Sequence, residues 1–99
     1  MKNDKWLFDD SPNVAVFTSK QIIEGKDWIH YVTHDADDGA WQFHGFSGPT
    51  TEEDARIVAL RNIVEKDPSI LDLRDLPLGW HAWRKSQHSQ WHKAENKNI

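Results

Sequence analysis

The sequence predicts a small α+β domain, an antiparallel sheet with one or two short helices packed on one face. Three observations point there. First, "DWIHYVTH" and "AWQFHGF" flank "DADDG", whose Asp38-Gly39 pair suits a tight turn needing positive φ, which gives a central hairpin over about residues 28–34 and 40–46. Second, short helix signals stand among the strands, near residues 19–25 and 50–66. Third, 99 residues make a single domain, residues 1–99, and a chain this short needs a dense core. Six Trp, four Phe and one Tyr can supply it.

In chain order, residues 1–12 read as a loosely held arm with Trp6 and Phe8 as its pins. "VAVFTS" gives the first strand, 14–18, bounded by Pro12 and Asn13. "SKQIIEG" adds one helical turn, with Ser19 as N-cap and Gly25 just past its end. In the hairpin, a two-residue loop sets 34 opposite 43, and a four-residue loop sets 34 opposite 41. Both put Trp28, His30, Val32, His34, Trp41 and Phe43 on one face. Ile29, Tyr31, Thr33, Gln42, His44 and Phe46 fall on the other. The first set has the heavier aromatic load and is the expected core face.

"SGPTTEEDARIVALRNIVEKDPSI" allows two readings. Thr50 with Glu53, or Thr51 with Asp54, can open a helix with Ala55, Val58, Ala59 and Ile63 as its apolar stripe. Equally, "RIVAL" can be a strand, with a helix from about Leu60 ending before Asp67-Pro68; periodicity does not separate the two in so short a run. "DPSILDLRDLPLG" is a turn-rich connector. "GWHAWRK" is the closing strand, 79–85, with Trp80, Ala82 and Arg84 on one side and His81, Trp83 and Lys85 on the other. Residues 86–99 read as a polar tail.

These motifs resemble a family of small bacterial proteins of unknown function, which overlaps a group proposed as immunity proteins of polymorphic-toxin systems. The resemblance covers about residues 14–84. It is carried by Thr18, Gly25, Val32, Asp38-Gly39, Trp41-Gln42-Phe43, Asp67-Pro68-Ser69-Ile70, Leu76-Pro77-Leu78-Gly79 and Arg84. It implies an α+β fold in which "ARIVAL" is a strand leading into a helix at about 61–66. It implies no catalytic residue and leaves the segment after Arg84 undescribed.

Composition excludes some functions. The absence of Cys removes disulfides and thiolate metal sites. The N-terminus lacks the apolar segment of a signal peptide, and no apolar run approaches the roughly 20 residues that span a bilayer. The expectation is a soluble, cytoplasmic protein without a membrane partner. A net charge of −4 argues against nucleic acid as partner. Asp35, Asp37, Asp38, Glu52, Glu53 and Asp54 form a block with no Lys or Arg between 35 and 54. That block is either a set of solvated turns or an acidic face for a basic protein surface.

The six His invite a test for metal. His88 and His92 are four apart, but their frame is "HSQWH", polar and without an adjacent Glu. His30 and His34 share a face while His44 points away, so the hairpin alone cannot gather three imidazoles. "DADDG" lacks the Gly and Glu positions of a calcium loop. Thr18, Ser19, Thr33 and Ser47 sit in no nucleophile motif. No metal, cofactor or catalytic residue is therefore assigned. Residues 79–93 hold three Trp and three His, yet alternation sets Trp80 and Trp83 on opposite faces, so they form no common stacking platform.

The function expected is a non-enzymatic protein-binding module, of the immunity type if the resemblance holds. Trp80, Trp83, Asp37 and Asp38 are its candidate binding residues. Two alternatives are a small metal-assisted hydrolase using His30, His34 or His81, and a homodimer built on a sheet edge.

Overall fold

The computed structural model describes residues 6–97. Six strands form one sheet: β1 (Ala15–Ser19), β2 (Ile29–His34), β3 (Trp41–Gly45), β4 (Ala55–Ala59), β5 (Trp80–Trp83) and β6 (His92–Glu95). Their order is β4-β1-β3-β2-β5-β6, and every neighbouring pair is antiparallel except β1 with β3. Helices α1 (Lys20–Ile23) and α2 (Leu60–Lys66), with 3-10 turns at Glu52–Asp54 and Pro68–Leu73, complete the α+β fold.

The local chemistry explains the element ends. Ser19 Oγ accepts a bond from the Ile22 N–H at 3.2 Å and caps α1. Gly25 follows the C-cap with φ of 76°, a conformation that costs glycine little. The hairpin adopts the four-residue loop, with His34 opposite Trp41, Asp35 N–H donating to Ala40 O at 2.8 Å and Gly39 at φ 73°. "ARIVA" is a strand: β4 pairs with β1 over five residues and so covers what would otherwise be an open edge. The apolar helical stripe from Ala55 to Ile63 does not form. Thr51 with Asp54 instead caps the 3-10 turn, Asp54 N–H donating to Thr51 Oγ1 at 3.3 Å.

Helices and connector pack on one side of the sheet. Ile22, Leu60, Ile63, Ile70 and Leu73 meet Val16, Val32, Trp41, Phe43 and Ala82 there, all buried. The expected core face needs one correction. Ile29 lies opposite Gly45 and Tyr31 opposite His44, so His30 is an inserted residue in a β-bulge. The bulge reverses the alternation before it. Ile29 becomes a core residue at 2% exposure, while Trp28 stacks on the exposed Phe46 at 5.0 Å. Parity from the turn cannot reach across an unpaired residue.

The polar tail over 86–99 is also corrected as far as residue 97, its last two residues lying outside the described ones. After a Ser86–Ser89 turn, Trp91 is buried and residues His92–Glu95 pair with β5 along its length. The cause is Arg84, itself buried. Its Nε donates to Ile29 O at 2.8 Å, and its two terminal nitrogens donate to Ser69 Oγ at 2.9 Å and Asp67 Oδ2 at 2.6 Å. Trp91 lies against the guanidinium at 4.2 Å and donates Nε1–H to Ser69 Oγ at 3.2 Å. A buried charge needs such a shell, and Trp91 brings β6 with it. At the other end the arm's first five residues lie outside the described ones, and from Trp6 on it is held: Phe8 is buried against Trp41, and Asp10 accepts Trp41 Nε1–H at 2.7 Å.

Candidate functional site

With the helices on one side, the other side of the sheet is left open. Its strand positions are Ala55, Ile57 and Ala59 on β4, Ala15, Phe17 and Ser19 on β1, Gln42 and His44 on β3, Tyr31 and Thr33 on β2, His81 and Trp83 on β5, and His92 and Ala94 on β6. Not one is Asp, Glu, Lys or Arg, although such residues make up 28% of the chain. The nearest charges lie past the strand ends, Asp35 after β2 and Lys85 after β5. An open antiparallel face ordinarily alternates polar residues outward. Here Ile57 is 64% exposed, Phe17 41% and Trp83 36%.

Five rings run across β3, β2, β5 and β6. His44 to Tyr31 is 6.1 Å, Tyr31 to His81 is 5.5 Å, and Trp83 stands 5.4 Å from both His81 and His92. Neighbouring planes tilt by 26° to 40°, so the rings form a gently curved strip. Two of its imidazoles are oriented by side-chain amides. Gln42 donates to Asp35 Oδ2 at 2.7 Å, which leaves its carbonyl oxygen to accept His44 Nε2–H at 3.1 Å. His81 Nδ1 bonds the Asn96 carbonyl oxygen. Burial lowers the pKa of His44, partly opposed by the negative charge of Asp35. His44 is thus held neutral, in keeping with an uncharged face. At the centre, between Gln42 and His81, the Thr33 hydroxyl is buried without a hydrogen-bond partner among the described residues.

Of the candidate residues, only Trp83 belongs to this face. Trp80 is half-buried against the core on the other side, as alternation required. Asp37 and Asp38 are exposed in the turn beyond His34, the residue opposite Trp80, and so lie about 10 Å or more along the strands from Trp83. The acid block does not form one surface. Asp35, Asp37 and Asp38 sit at one end of the sheet, whereas Glu52, Glu53 and Asp54 precede β4 at the other. Asp54 accepts Gln21 Nε2–H at 3.0 Å, a bond that lowers its pKa with help from Thr51, Lys20 and Arg56.

Sequence reasoning missed Phe17, Ile57, Tyr31, His44 and His92 as members of one site. Alternation in the hairpin did group Tyr31, Thr33, Gln42 and His44. The readable signal was that these positions hold no charge. His92 had no such signal, because its strand was unforeseen.

The remaining histidines do not converge. His34 stacks on Trp41 at 3.9 Å on the covered side and donates Nδ1–H to Leu76 O at 2.8 Å, beside a cleft of 520 Å³ shared with Phe8, Asp10 and Leu78. His30 donates Nδ1–H to Arg84 O at 2.8 Å at the bulge, and His81 is on the open face. Among the described residues, no group of three His, Asp or Glu side chains is placed to hold a metal ion. Among them also, no helix is long and apolar enough to cross a membrane. Compared with protein-family models, the chain matches none, and among curated proteins and solved structures it finds no significant match.

Proposed function

We propose that this protein is a non-enzymatic protein-binding module whose contact surface is the open sheet face, anchored by Trp83. The observation that carries this is a face with no charged residue at its strand positions, with Ile57, Phe17 and Trp83 exposed on it. Apolar side chains on the open side of a sheet add nothing to the protein's own core, and depletion of charge with aromatic enrichment is the composition of an interface centre. The partner is a protein surface that is itself apolar and uncharged where it touches, because an unpaired charge buried there would lose its hydration. A toxin-neutralising role, the kind the resemblance suggests, requires a contact face and no catalytic group. The hydrolase alternative rests on His30, His34 or His81, which occupy three different places in the fold.

The test is a map of amide shifts when the isotopically labelled chain binds a protein captured with it. Shifts are expected at Tyr31, Thr33, Gln42, His81 and Trp83, and Trp83→Ala should weaken binding at least about tenfold, as loss of an aromatic anchor does. Shifts confined to the hairpin tip or the helical side would overturn the reading.

A further inference from the structure

We infer that the outer edge of β6 pairs with the same edge of a second copy, in one register, as a symmetric dimer whose two sheets run on as one. The inference concerns the rim of the sheet and stands apart from the reading of its open face.

Backbone groups define the edge. In an antiparallel ladder, successive residues turn their N–H and C=O to opposite sides. Arg84 N–H donates to His30 O at 3.3 Å, so Trp80 and Ala82 bond β2 while His81 and Trp83 bond β6. Asn96 N–H donates to Gly79 O at 2.8 Å and continues the same alternation. His92 and Ala94 are thereby used. Lys93 and Glu95 turn their N–H and C=O away from the sheet, and neither backbone finds a hydrogen-bond partner among the described residues. The opposite edge differs, because on β4 the Arg56 guanidinium donates to Ala55 O at 2.9 Å and to Glu53 O at 3.1 Å.

Charge selects both the occupant and the register. Outward residues pair with outward residues, so a twofold axis normal to the sheet can pass Lys93, Ala94 or Glu95. Passing Lys93, it sets that lysine against the same lysine of the mate. Passing Glu95, it sets Glu95 on Glu95 and Lys93 on Lys97. Passing Ala94, it sets Lys93 of each copy opposite Glu95 of the other, Ala94 on Ala94 and His92 on Asn96. Only this last register joins opposite charges and no like ones, and directly opposed charges decide between registers in this way. Both side chains are exposed and share the sheet side of their β5 partners Ala82 and Trp80, so they meet across the axis. A lone lysine keeps strands off an edge. A Lys and a Glu two residues apart specify an antiparallel mate with the same pair, which a second copy supplies. From Arg84 to Lys97, Glu95 is the only acid, so the net charge of −4 arises from other segments.

An axis normal to the sheet leaves both open faces on one side, with Trp83 of each copy still available to the partner proposed above. Pairing of two four-residue strands covers well under the roughly 1,200 Å² of a standard interface, so the dimer dissociates readily.

Sedimentation velocity on the untagged full chain in low salt, from about 10 μM to about 1 mM, tests this. A concentration-dependent monomer–dimer equilibrium is expected, with slower hydrogen exchange at the Lys93 and Glu95 amides as concentration rises. Lys93→Glu and Glu95→Lys alter exposed side chains, and each sets like charges across the axis and should raise Kd at least about tenfold. Two rescues separate this register from any other contact. Mixing the two variants should form heterodimers, and the chain carrying both changes should self-associate again, since each arrangement restores opposite pairs. Monomer throughout the series overturns the inference. So does a dimer indifferent to the single changes, or a double variant that stays monomeric. The amide map with a captured protein decides the open face separately.

Discussion

At residue scale the guanidinium of Arg84 organises more of this chain than any apolar side chain does. It ties β2 through Ile29 O, the connector through Ser69 and Asp67, and the C-terminal segment through Trp91. Removing one member of a buried, hydrogen-bonded pair leaves the others desolvated and unpaired. Arg84→Ala is therefore expected to cost about 3 kcal/mol or more, measured by urea denaturation. Arg84→Lys should recover only part of this, since an ammonium cannot reproduce the planar fork between Ser69 and Asp67. Thr33 is the converse case. Its buried hydroxyl makes no hydrogen bond among the described residues, so Thr33→Val should leave stability unchanged or raise it by up to about 1 kcal/mol. A loss of stability in thermal unfolding would show that the hydroxyl is satisfied after all.

Among the elements, the hairpin shows how a turn and a bulge divide authority over one ladder. The Asp38-Gly39 turn sets the register as far as Tyr31, and the insertion at His30 resets it for Ile29 and Trp28. Gly45 opposite Ile29 is part of the same device: a Cβ there would come within 2.0 Å of the Asp27 carboxylate, which accepts the N–H groups of Trp28 and Ser47. On β3, His44 links the element to pH. Burial holds its folded pKa below the ordinary 6.5. As pH falls below that value the unfolded chain takes up the proton first, so folding stability declines until the folded imidazole protonates too. Above 6.5 the contribution is fully present. His44→Gln should flatten this part of the stability–pH curve, and an unchanged slope in the variant would assign it to other groups.

For the molecule as a whole, the sheet is covered on one side only. An antiparallel sheet tolerates water on its second face when that face is polar, and this one carries rings and aliphatic side chains. The same face holds His44, whose pKa burial lowers from the ordinary 6.5. Acid strong enough to protonate it would place a positive charge on a face whose strand positions hold none, so binding of a protein partner there should weaken as pH falls below 6.5. Titration of the labelled chain with the captured protein across that range checks it, and binding unaffected at about pH 5 would remove His44 from the contact.

Much of the fold was legible because it is written in local chemistry. The hairpin, the Ser19 cap, the Gly25 stop and the opposite faces of Trp80 and Trp83 follow from residue types at short spacing. The resemblance pointed to a strand in "ARIVAL", and β1 offered the edge for it. What the sequence could not decide needed partners distant in the chain. The bulge at His30, the burial of Trp91 by Arg84 and Ser69, and the β6 strand that follows are settled by contacts across 15 to 55 residues. The candidate face is of this kind too. Its neutrality was present at alternate positions of the four strands read from the sequence, but only the sheet order β4-β1-β3-β2-β5-β6 joins Ile57, Phe17, Tyr31 and Trp83 into one surface. Alternation tells which residues share a side of a strand, and only tertiary packing decides which side the helices leave open.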